Sequence, residues 1–257
     1  MNREEATLTT RDGRCPVSLF WPTADRPLPP LIFAMDGFGR RESLDAMAAR
    51  IAGLGYVVAL PDLYYRVGSI LSLLPAGTPR DVRTLVPMLM SVPEIRSRFR
   101  EQFFGSATRP QHIVTDLGGL LDHLATRPEV RPGPAGIVGY CMGGNVALRA
   151  ACLLGERIAA AASFHGGYLA TEAPDSPHLG AAQIRARLAV IAAQDDPTFG
   201  DDSQARLQAA LTAAGVRHQI ETYPARHGFC VPDMPTHDAA AAERHYAVIA
   251  ELMAASL

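Results

Sequence analysis

Short, continuously apolar runs alternate along the chain with longer segments in which apolar residues recur every three or four positions. A run of the first kind is typical of a strand buried on both faces of a parallel sheet, and a segment of the second kind predicts a helix. The predicted strands cover residues 31–35, 56–60, 136–138, 159–164 and 188–193, with a last strand at 218–223. The predicted helices cover residues 41–54, 111–126, 145–154, 203–214 and 239–257. This alternation predicts an α/β protein with a doubly wound, mostly parallel sheet and helices on both faces.

Two regions fall outside the alternation. Residues 7–10 and 15–21 are rich in β-branched and aromatic residues and are separated by an Asp-Gly pair, which predicts an opening β-hairpin. Residues 66–110 contain apolar stretches and one basic, helical stretch, but prolines interrupt the pattern. Such an excursion is typical of a lid or substrate-facing insertion, and equally of an irregular packed segment that never contacts substrate. No repeat or domain boundary is visible, so we expect one domain over residues 1–257.

Composition excludes several classes of protein. The 257 residues are 48% hydrophobic and 19% charged, as in a water-soluble globular domain. A formal net charge of -2 gives no electrostatic argument for binding nucleic acid or an anionic membrane. No apolar run is long enough to span a membrane, and the polar N-terminus does not resemble a signal peptide.

The four cysteines are widely spaced and form no C-x-x-C pair. This spacing argues against a zinc site or a disulfide framework and fits a reducing compartment. We therefore expect a cytoplasmic protein that needs no metal.

The sequence G-Y-C-M-G-G at residues 139–144 lies between a predicted strand and a predicted helix. It has the form of a nucleophile elbow, a strained turn that holds one side chain above the sheet, with Cys141 where serine is commoner. The turn needs neighbours with almost no side chain, which the glycines supply. A cysteine at a helix N-terminus is also favoured as thiolate. Cys141 is thus the candidate nucleophile.

Two further reactive side chains follow the ends of later predicted strands. An acid follows residues 188–193, at Asp195 or Asp196, and His227 follows the last strand. Open α/β sheets place their sites beyond the carboxyl ends of the strands. The spacing to Phe199 favours Asp196 as the orienting acid, with Asp195 as the alternative. The chain order of nucleophile, acid and histidine is that of the α/β-hydrolases.

The elbow, the P-D-L-Y sequence at residues 61–64 and the H-G-F sequence at 227–229 together resemble the dienelactone hydrolase family. The resemblance runs from about Cys15 to the terminal helix and is weakest between residues 66 and 110. It implies an α/β-hydrolase fold, a Cys-His-Asp triad, no cofactor, and hydrolysis of a small-molecule carboxylic ester or lactone through a thioacyl-enzyme. The carried-over roles are nucleophile for Cys141, base for His227 and orienting acid for Asp196.

The mechanism also requires two N–H donors for the oxyanion. The natural pair is the backbone N–H of Met142, directly after the nucleophile, and that of Gly37, in the loop after an early strand. In the family, an acidic residue in that early loop helps to control ionisation of the thiol, and Asp36 occupies the position here, one methylene shorter than the usual glutamate. The alternative is that Asp36 caps a turn or pairs with Arg40 or Arg41.

Aromatic residues beside these positions, Phe38, Tyr140 and Phe229, are candidate substrate contacts. Dienelactone hydrolases hold the substrate carboxylate with arginines, one of them four residues after the catalytic histidine. Val231 stands at that position, so the resemblance does not extend to a carboxylate-binding arginine. We expect no nucleic-acid or membrane partner, and a monomer or homodimer.

Two other classes of function remain open from the residues. A thiol redox protein needs a resolving cysteine near the first, and Cys230 would serve only if the fold brings it to Cys141. A non-catalytic binding protein on a hydrolase scaffold would typically have lost a triad residue, whereas all three residue types are retained here. Cys152 and Cys230 are otherwise packing residues.

Overall fold

A computed structural model describes all 257 residues, and its central feature is an eight-stranded sheet in the order β1-β2-β4-β3-β5-β6-β7-β8. β1 pairs antiparallel with β2, β2 pairs antiparallel with β4, and every later pair is parallel. The strands are β1 Asn2–Thr10, β2 Gly13–Trp21, β3 Pro30–Ala34, β4 Val57–Pro61, β5 Ala135–Tyr140, β6 Ile158–Phe164, β7 Arg187–Ala193 and β8 His218–Tyr223. The predicted doubly wound, mostly parallel sheet is confirmed, as is the opening hairpin.

Burial along the strands follows their apolar pattern. β3, β4 and β5 are buried at every position because helices cover both faces of the sheet where they lie. β8 forms an edge of the sheet and mixes polar with apolar residues, and only its last residue is buried. The continuous apolar runs of the sequence therefore mark the centre of the sheet, where the candidate site is built.

The helices lie in two layers. The α-helices are α1 Glu42–Ala52, α2 Val82–Ser91, α3 Pro93–Arg98, α4 Gly105–Thr108, α5 Pro110–Ala125, α6 Met142–Leu153, α7 Asp201–Ala213 and α8 Ala239–Ala254. Arg50 in α1 pairs with Glu243 in α8, which joins these helices, and α5 packs against α6. No helix is long and apolar enough to cross a membrane.

Residues 66–110 are more regular than the prolines suggest. The segment begins with a 3₁₀ turn, Ile70–Leu73, and continues through α2 and α3 into a π-helix, Phe99–Phe104, and then α4. Pro87 lies inside α2, and Pro93 opens α3 at a position where its missing N–H costs little. Within this segment, the sequence pattern predicted a helix only for the basic stretch at residues 94–104. A further short helix, Pro177–Gln183, also has no counterpart among the predicted elements.

Candidate active site

The elbow forms as the glycines require. Cys141 lies between β5 and α6 with φ 54° and ψ -114°, a left-handed conformation that costs free energy for a residue with a side chain. A β-carbon at Gly139 would lie 1.9 Å from the Gly143 carbonyl oxygen, and one at Gly143 would lie 2.1 Å from the Ala34 carbonyl oxygen. Only glycine fits at these two positions, so the backbone closes tightly around a partly exposed thiol.

His227 lies in the loop after β8 and joins the thiol to an acid. Its Nδ1 is 2.6 Å from Asp196 Oδ2, and its side chain is 30% exposed. Burial disfavours the charged imidazole, but the thiolate charge of Cys141, the hydrogen bonds to Asp196 and Cys141 and the carboxylate charge together raise the pKa of His227 to about 10. The structure therefore brings the predicted nucleophile, base and acid into one connected group.

The two candidate acids differ completely in environment. Asp196 is 4% exposed, and its Oδ1 accepts hydrogen bonds from the backbone N–H and the hydroxyl of Thr198, at 2.9 and 2.7 Å. Burial opposes ionisation, but the bonds from His227 and Thr198 keep the pKa of Asp196 below its usual range. Asp195 is exposed, with φ 55°, and receives only a long hydrogen bond from Gln194. Asp196 is the acid that faces His227.

The predicted oxyanion donors are free to bind. Neither the Gly37 N–H nor the Met142 N–H donates a hydrogen bond within the protein, whereas the Phe38 N–H is taken by Asp36 Oδ1 at 2.9 Å. A β-carbon at Gly37 would lie 3.9 Å from Cys141 Sγ. The Tyr64 hydroxyl donates to the Gly37 carbonyl oxygen at 3.0 Å and lies 3.1 Å from Met142 Sδ. Tyr64 thus contacts both donor residues.

Asp36 is engaged by an arginine. It is 2% exposed, and Arg41 donates from its two terminal nitrogens to both carboxylate oxygens, each at 2.8 Å. Arg41 also donates to both carboxylate oxygens of Asp233, at 2.6 and 2.9 Å. All side-chain bonds of Asp36 go to Arg41 and to the Phe38 N–H, so its role in controlling the thiol stays a prediction.

Two predicted substrate contacts are wrong. Tyr140 is 0% exposed and lies between Phe33 and Phe164, with ring centroids 4.9 and 5.5 Å away. Phe229 is also 0% exposed and packs on Tyr223. Both residues neighbour a site residue in sequence, but their side chains are buried in the core. Tyr140 is the last residue of β5, and Phe229 lies in the turn after His227, so neither shares the direction of its neighbour.

Phe38, the third predicted contact, is partly exposed, with the Arg41 guanidinium 5.9 Å from its ring centroid. It lines a cavity of about 450 Å³ together with Tyr64 and Ile70. Because Phe38 directly follows Gly37, it remains a candidate substrate contact.

The excursion supplies an aromatic cover that the sequence did not predict. A β-carbon at Gly37 would lie 2.9 Å from Phe99 Cζ, so the Phe99 ring covers the oxyanion loop beside Cys141. Phe104 lies 6.4 Å from Phe99 and 5.5 Å from Tyr168, centroid to centroid. The Gly105 N–H donates to the Arg100 carbonyl, which is the i→i−5 bond of a π-turn. Such turns are frequent at functional sites.

The other cysteines lie apart from this group. Cys230 is 1% exposed, and burial raises its pKa well above the usual value. Tyr140, Tyr223 and Tyr246 lie close enough for the charge of a Cys230 thiolate to raise the pKa of each hydroxyl. Cys152 Sγ donates to the Pro177 carbonyl at 3.6 Å. All four cysteines are unpaired, and no group of side chains could hold a metal ion.

Thr198, Tyr64, Arg41 and Phe99 were not among the predicted site residues. A threonine two positions after an aspartate is a known turn signal and would have indicated Thr198. Tyr64 stands within the P-D-L-Y sequence already noted. Arg41 was considered only as an ion-pair partner of Asp36, a pairing that the structure shows. No sequence signal indicates its contact with Asp233 or the position of Phe99, because these depend on how distant segments pack.

The strand order, the elbow after β5 and the acid and histidine loops after β7 and β8 define an α/β-hydrolase. The crystal structure of a "Putative Dienelactone Hydrolase" from Klebsiella pneumoniae has the same fold, with a TM-score of 0.81 at 20% identity over 98% of both chains. A model of the dienelactone hydrolase family matches residues 16–257. The chain therefore belongs to the dienelactone hydrolase family, which confirms the resemblance.

Two curated relatives carry the name "Putative carboxymethylenebutenolidase". The relative from Synechocystis sp. strain PCC 6803 is 25% identical over 92% of this chain and 89% of its own length. The relative from Escherichia coli strain K12 is 26% identical over 86% of this chain and 74% of its own length.

Proposed function

We propose that this protein hydrolyses a carboxylic ester or lactone by nucleophilic catalysis, with Cys141 as nucleophile, His227 as base and Asp196 as orienting acid. The observation that carries the proposal is the 2.6 Å contact between His227 Nδ1 and Asp196 Oδ2, made by an imidazole that also interacts with Cys141. Family membership and the carboxymethylenebutenolidase name of the relatives support the same reaction class.

The resting charges suit the attack. With its pKa raised to about 10, His227 carries a proton at neutral pH, and its positive charge interacts with Cys141. The thiolate attacks the carbonyl carbon, and the oxyanion that forms accepts from the free N–H groups of Gly37 and Met142. His227 then donates its proton to the departing alkoxide, which leaves a thioester on Cys141.

Acylation also prepares the second half of the reaction. The Cys141 charge is the largest of the causes that raise the pKa of His227, and it disappears when the thioester forms. The pKa of His227 therefore falls, and the neutral imidazole removes a proton from the attacking water. The C–S bond then breaks, which releases the carboxylic acid and returns the thiolate to Cys141 beside the protonated His227. Asp196 holds Nδ1 so that Nε2 faces the reacting atoms throughout.

The environment of the site bears on the substrate. Val231 occupies the place of a family arginine and is 1% exposed, and Arg41 is already bonded to two carboxylates. Phe99 offers a planar apolar surface beside the oxyanion loop, and Phe104 and Tyr168 extend this surface away from it. These contacts favour an apolar or planar acyl group over a free carboxylate.

Hydrolysis of p-nitrophenyl acetate, with and without prior treatment with iodoacetamide, tests the proposal. We expect turnover that is lost in proportion to the alkylation of Cys141. Hydrolysis that survives complete alkylation of Cys141 would exclude it as nucleophile. Peroxide reduction by a Cys141–Cys230 pair, the redox alternative, receives no support from the buried surroundings of Cys230.

A further inference from the structure

We propose that Arg41 is a positioning residue that holds the oxyanion loop in its binding geometry and fixes that loop to the loop of the catalytic histidine. The inference rests on the proposed function, since it concerns the Gly37 donor of that site. It assigns a positioning role to Arg41, which the sequence suggested only as an ion-pair partner of Asp36, and to Asp233.

The first support is the set of hydrogen bonds that Arg41 donates to the turn around Gly37. Residues 36–39 form a turn in which the Gly39 N–H donates to the Asp36 carbonyl at 3.4 Å. Arg41 binds both oxygens of the Asp36 carboxylate and also donates to the Gly39 carbonyl at 3.0 Å. The guanidinium therefore holds the first and last residues of the turn whose second residue supplies the free N–H.

The second support is the arginine's own anchorage. The Arg41 carbonyl accepts from the N–H groups of Leu44 and Asp45, which places Arg41 at the start of α1. Its side chain is only 14% exposed. A planar guanidinium with several donors in a fixed fork transmits this rigidity to the carboxylates it binds, which a lysine cannot do.

The third support is the link to the histidine loop. Asp233 lies six positions after His227, in a loop closed by internal bonds, including those from Thr236 Oγ1 to the His227 carbonyl at 2.6 Å and from the Asp238 N–H to the Phe229 carbonyl at 3.1 Å. Arg41 binds both oxygens of Asp233. One guanidinium thus connects the base and the oxyanion donor, which come from opposite ends of the chain.

The opposite charges of Arg41 and of the carboxylates of Asp36 and Asp233 stabilise one another. Burial works against the charged Arg41, but Asp36 and Asp233 outweigh it and raise its pKa further, while Arg41 keeps the pKa of Asp233 below its usual range. Removal of the guanidinium would leave the 2%-exposed Asp36 without its cation. The turn would then relax, and the Gly37 N–H would leave the position where the oxyanion forms.

The test compares two reactions of the same thiol in the Arg41→Lys variant. Acylation by p-nitrophenyl acetate builds an oxyanion, whereas alkylation by iodoacetamide does not. We expect the acylation rate, measured as the pre-steady-state burst, to fall by about 100-fold, as for a misplaced catalytic group. The alkylation rate at the same pH should stay within about twofold of wild type, because no oxyanion donor is involved.

Arg50→Lys is the matched control. Arg50 also lies in α1 and also binds both oxygens of one carboxylate, that of Glu243, at 2.7 and 2.6 Å, but away from the site. Both reactions should proceed in this variant as in wild type. In Asp233→Asn the bonds from Arg41 to the turn remain, and only the ion pair with the histidine loop is lost. The acylation rate of this variant should therefore fall less than that of Arg41→Lys.

The outcomes separate the inference from the function on which it rests. Equal loss of both reactions in Arg41→Lys, or loss of neither, would overturn the positioning role. The burst and the alkylation of the wild-type protein report the proposed function independently. Wild-type protein that is alkylated at Cys141 but does not hydrolyse the ester would overturn that function and the inference together.

Discussion

The catalytic end of the sheet and the excursion over residues 66–110 meet at Gly37 but are built in different ways. At the sheet, the backbone is fixed by contacts that exclude a side chain, such as those around Gly139 and Gly143. In the excursion, Phe99 approaches the same point from a π-helix and packs against the ring of Phe104, and both rings remain partly exposed.

The difference indicates a division of roles. Groups that stabilise a transition state must hold their positions within a fraction of an ångström, and strand ends and glycine turns provide this. Groups that select the substrate need apolar surface that can adjust, which a helical cover provides. We therefore expect substitutions at the sheet to lower kcat and substitutions in the excursion to alter KM.

The largest effect is expected for Cys141→Ala. The account predicts loss of ester hydrolysis by about 10⁴-fold or more, as when a catalytic nucleophile is removed. The side chain stands at a turn and is partly exposed, so thermal unfolding should show an intact fold. Cys152→Ala serves as control, because that thiol bonds only to the Pro177 carbonyl and should leave turnover unchanged.

The second prediction compares the paired aspartates. Asp196→Asn should lower kcat by about 10³-fold to 10⁴-fold, because the amide no longer stabilises the imidazolium or holds its tautomer. Asp195→Asn should change kcat little, since Asp195 is exposed and does not contact His227. Steady-state kinetics of both variants decide the matter, and the opposite order would place the acid one residue earlier.

A smaller effect is expected in the excursion. Phe99→Ala removes the ring over Gly37 and should raise KM for an aryl ester by about tenfold, the free energy of a lost aromatic contact, with kcat nearly unchanged. Leu71→Ala, in the 3₁₀ turn of the same excursion, is the comparison variant. A fall in kcat alone for Phe99→Ala would mean that the cover belongs to the catalytic framework.

The smallest expected effect is electrostatic. The thiolate of Cys141 raises the pKa of His227, so Cys141→Ala should lower that pKa from about 10. The stability that the charged His227 contributes is full below its unfolded pKa of about 6.5 and is lost as pH rises through the folded value. NMR titration of the His227 ring in both proteins measures the shift, and an unchanged pKa would mean that the thiol lies too far away to interact.

The same two regions show what a sequence can reveal. That Cys141, Asp196 and His227 lie close together could be predicted, because each follows its own apolar strand and parallel strands end at one edge of the sheet. Tyr140 and Phe229 were misassigned because proximity in sequence does not fix the direction of a side chain. The contact between Arg41 and Asp233 joins residues 192 positions apart, and no local pattern encodes such a pairing.

The most direct measurement is mass spectrometry of the protein quenched during turnover of p-nitrophenyl acetate. If the account is right, one acetyl group is found, it maps to the peptide that contains Cys141, and hydroxylamine removes it, as expected for a thioester. The adduct should accumulate further in Asp196→Asn, in which the base that activates water is weakened. Hydrolysis that proceeds with no acetyl adduct on Cys141, or with the adduct on another residue, would contradict the account.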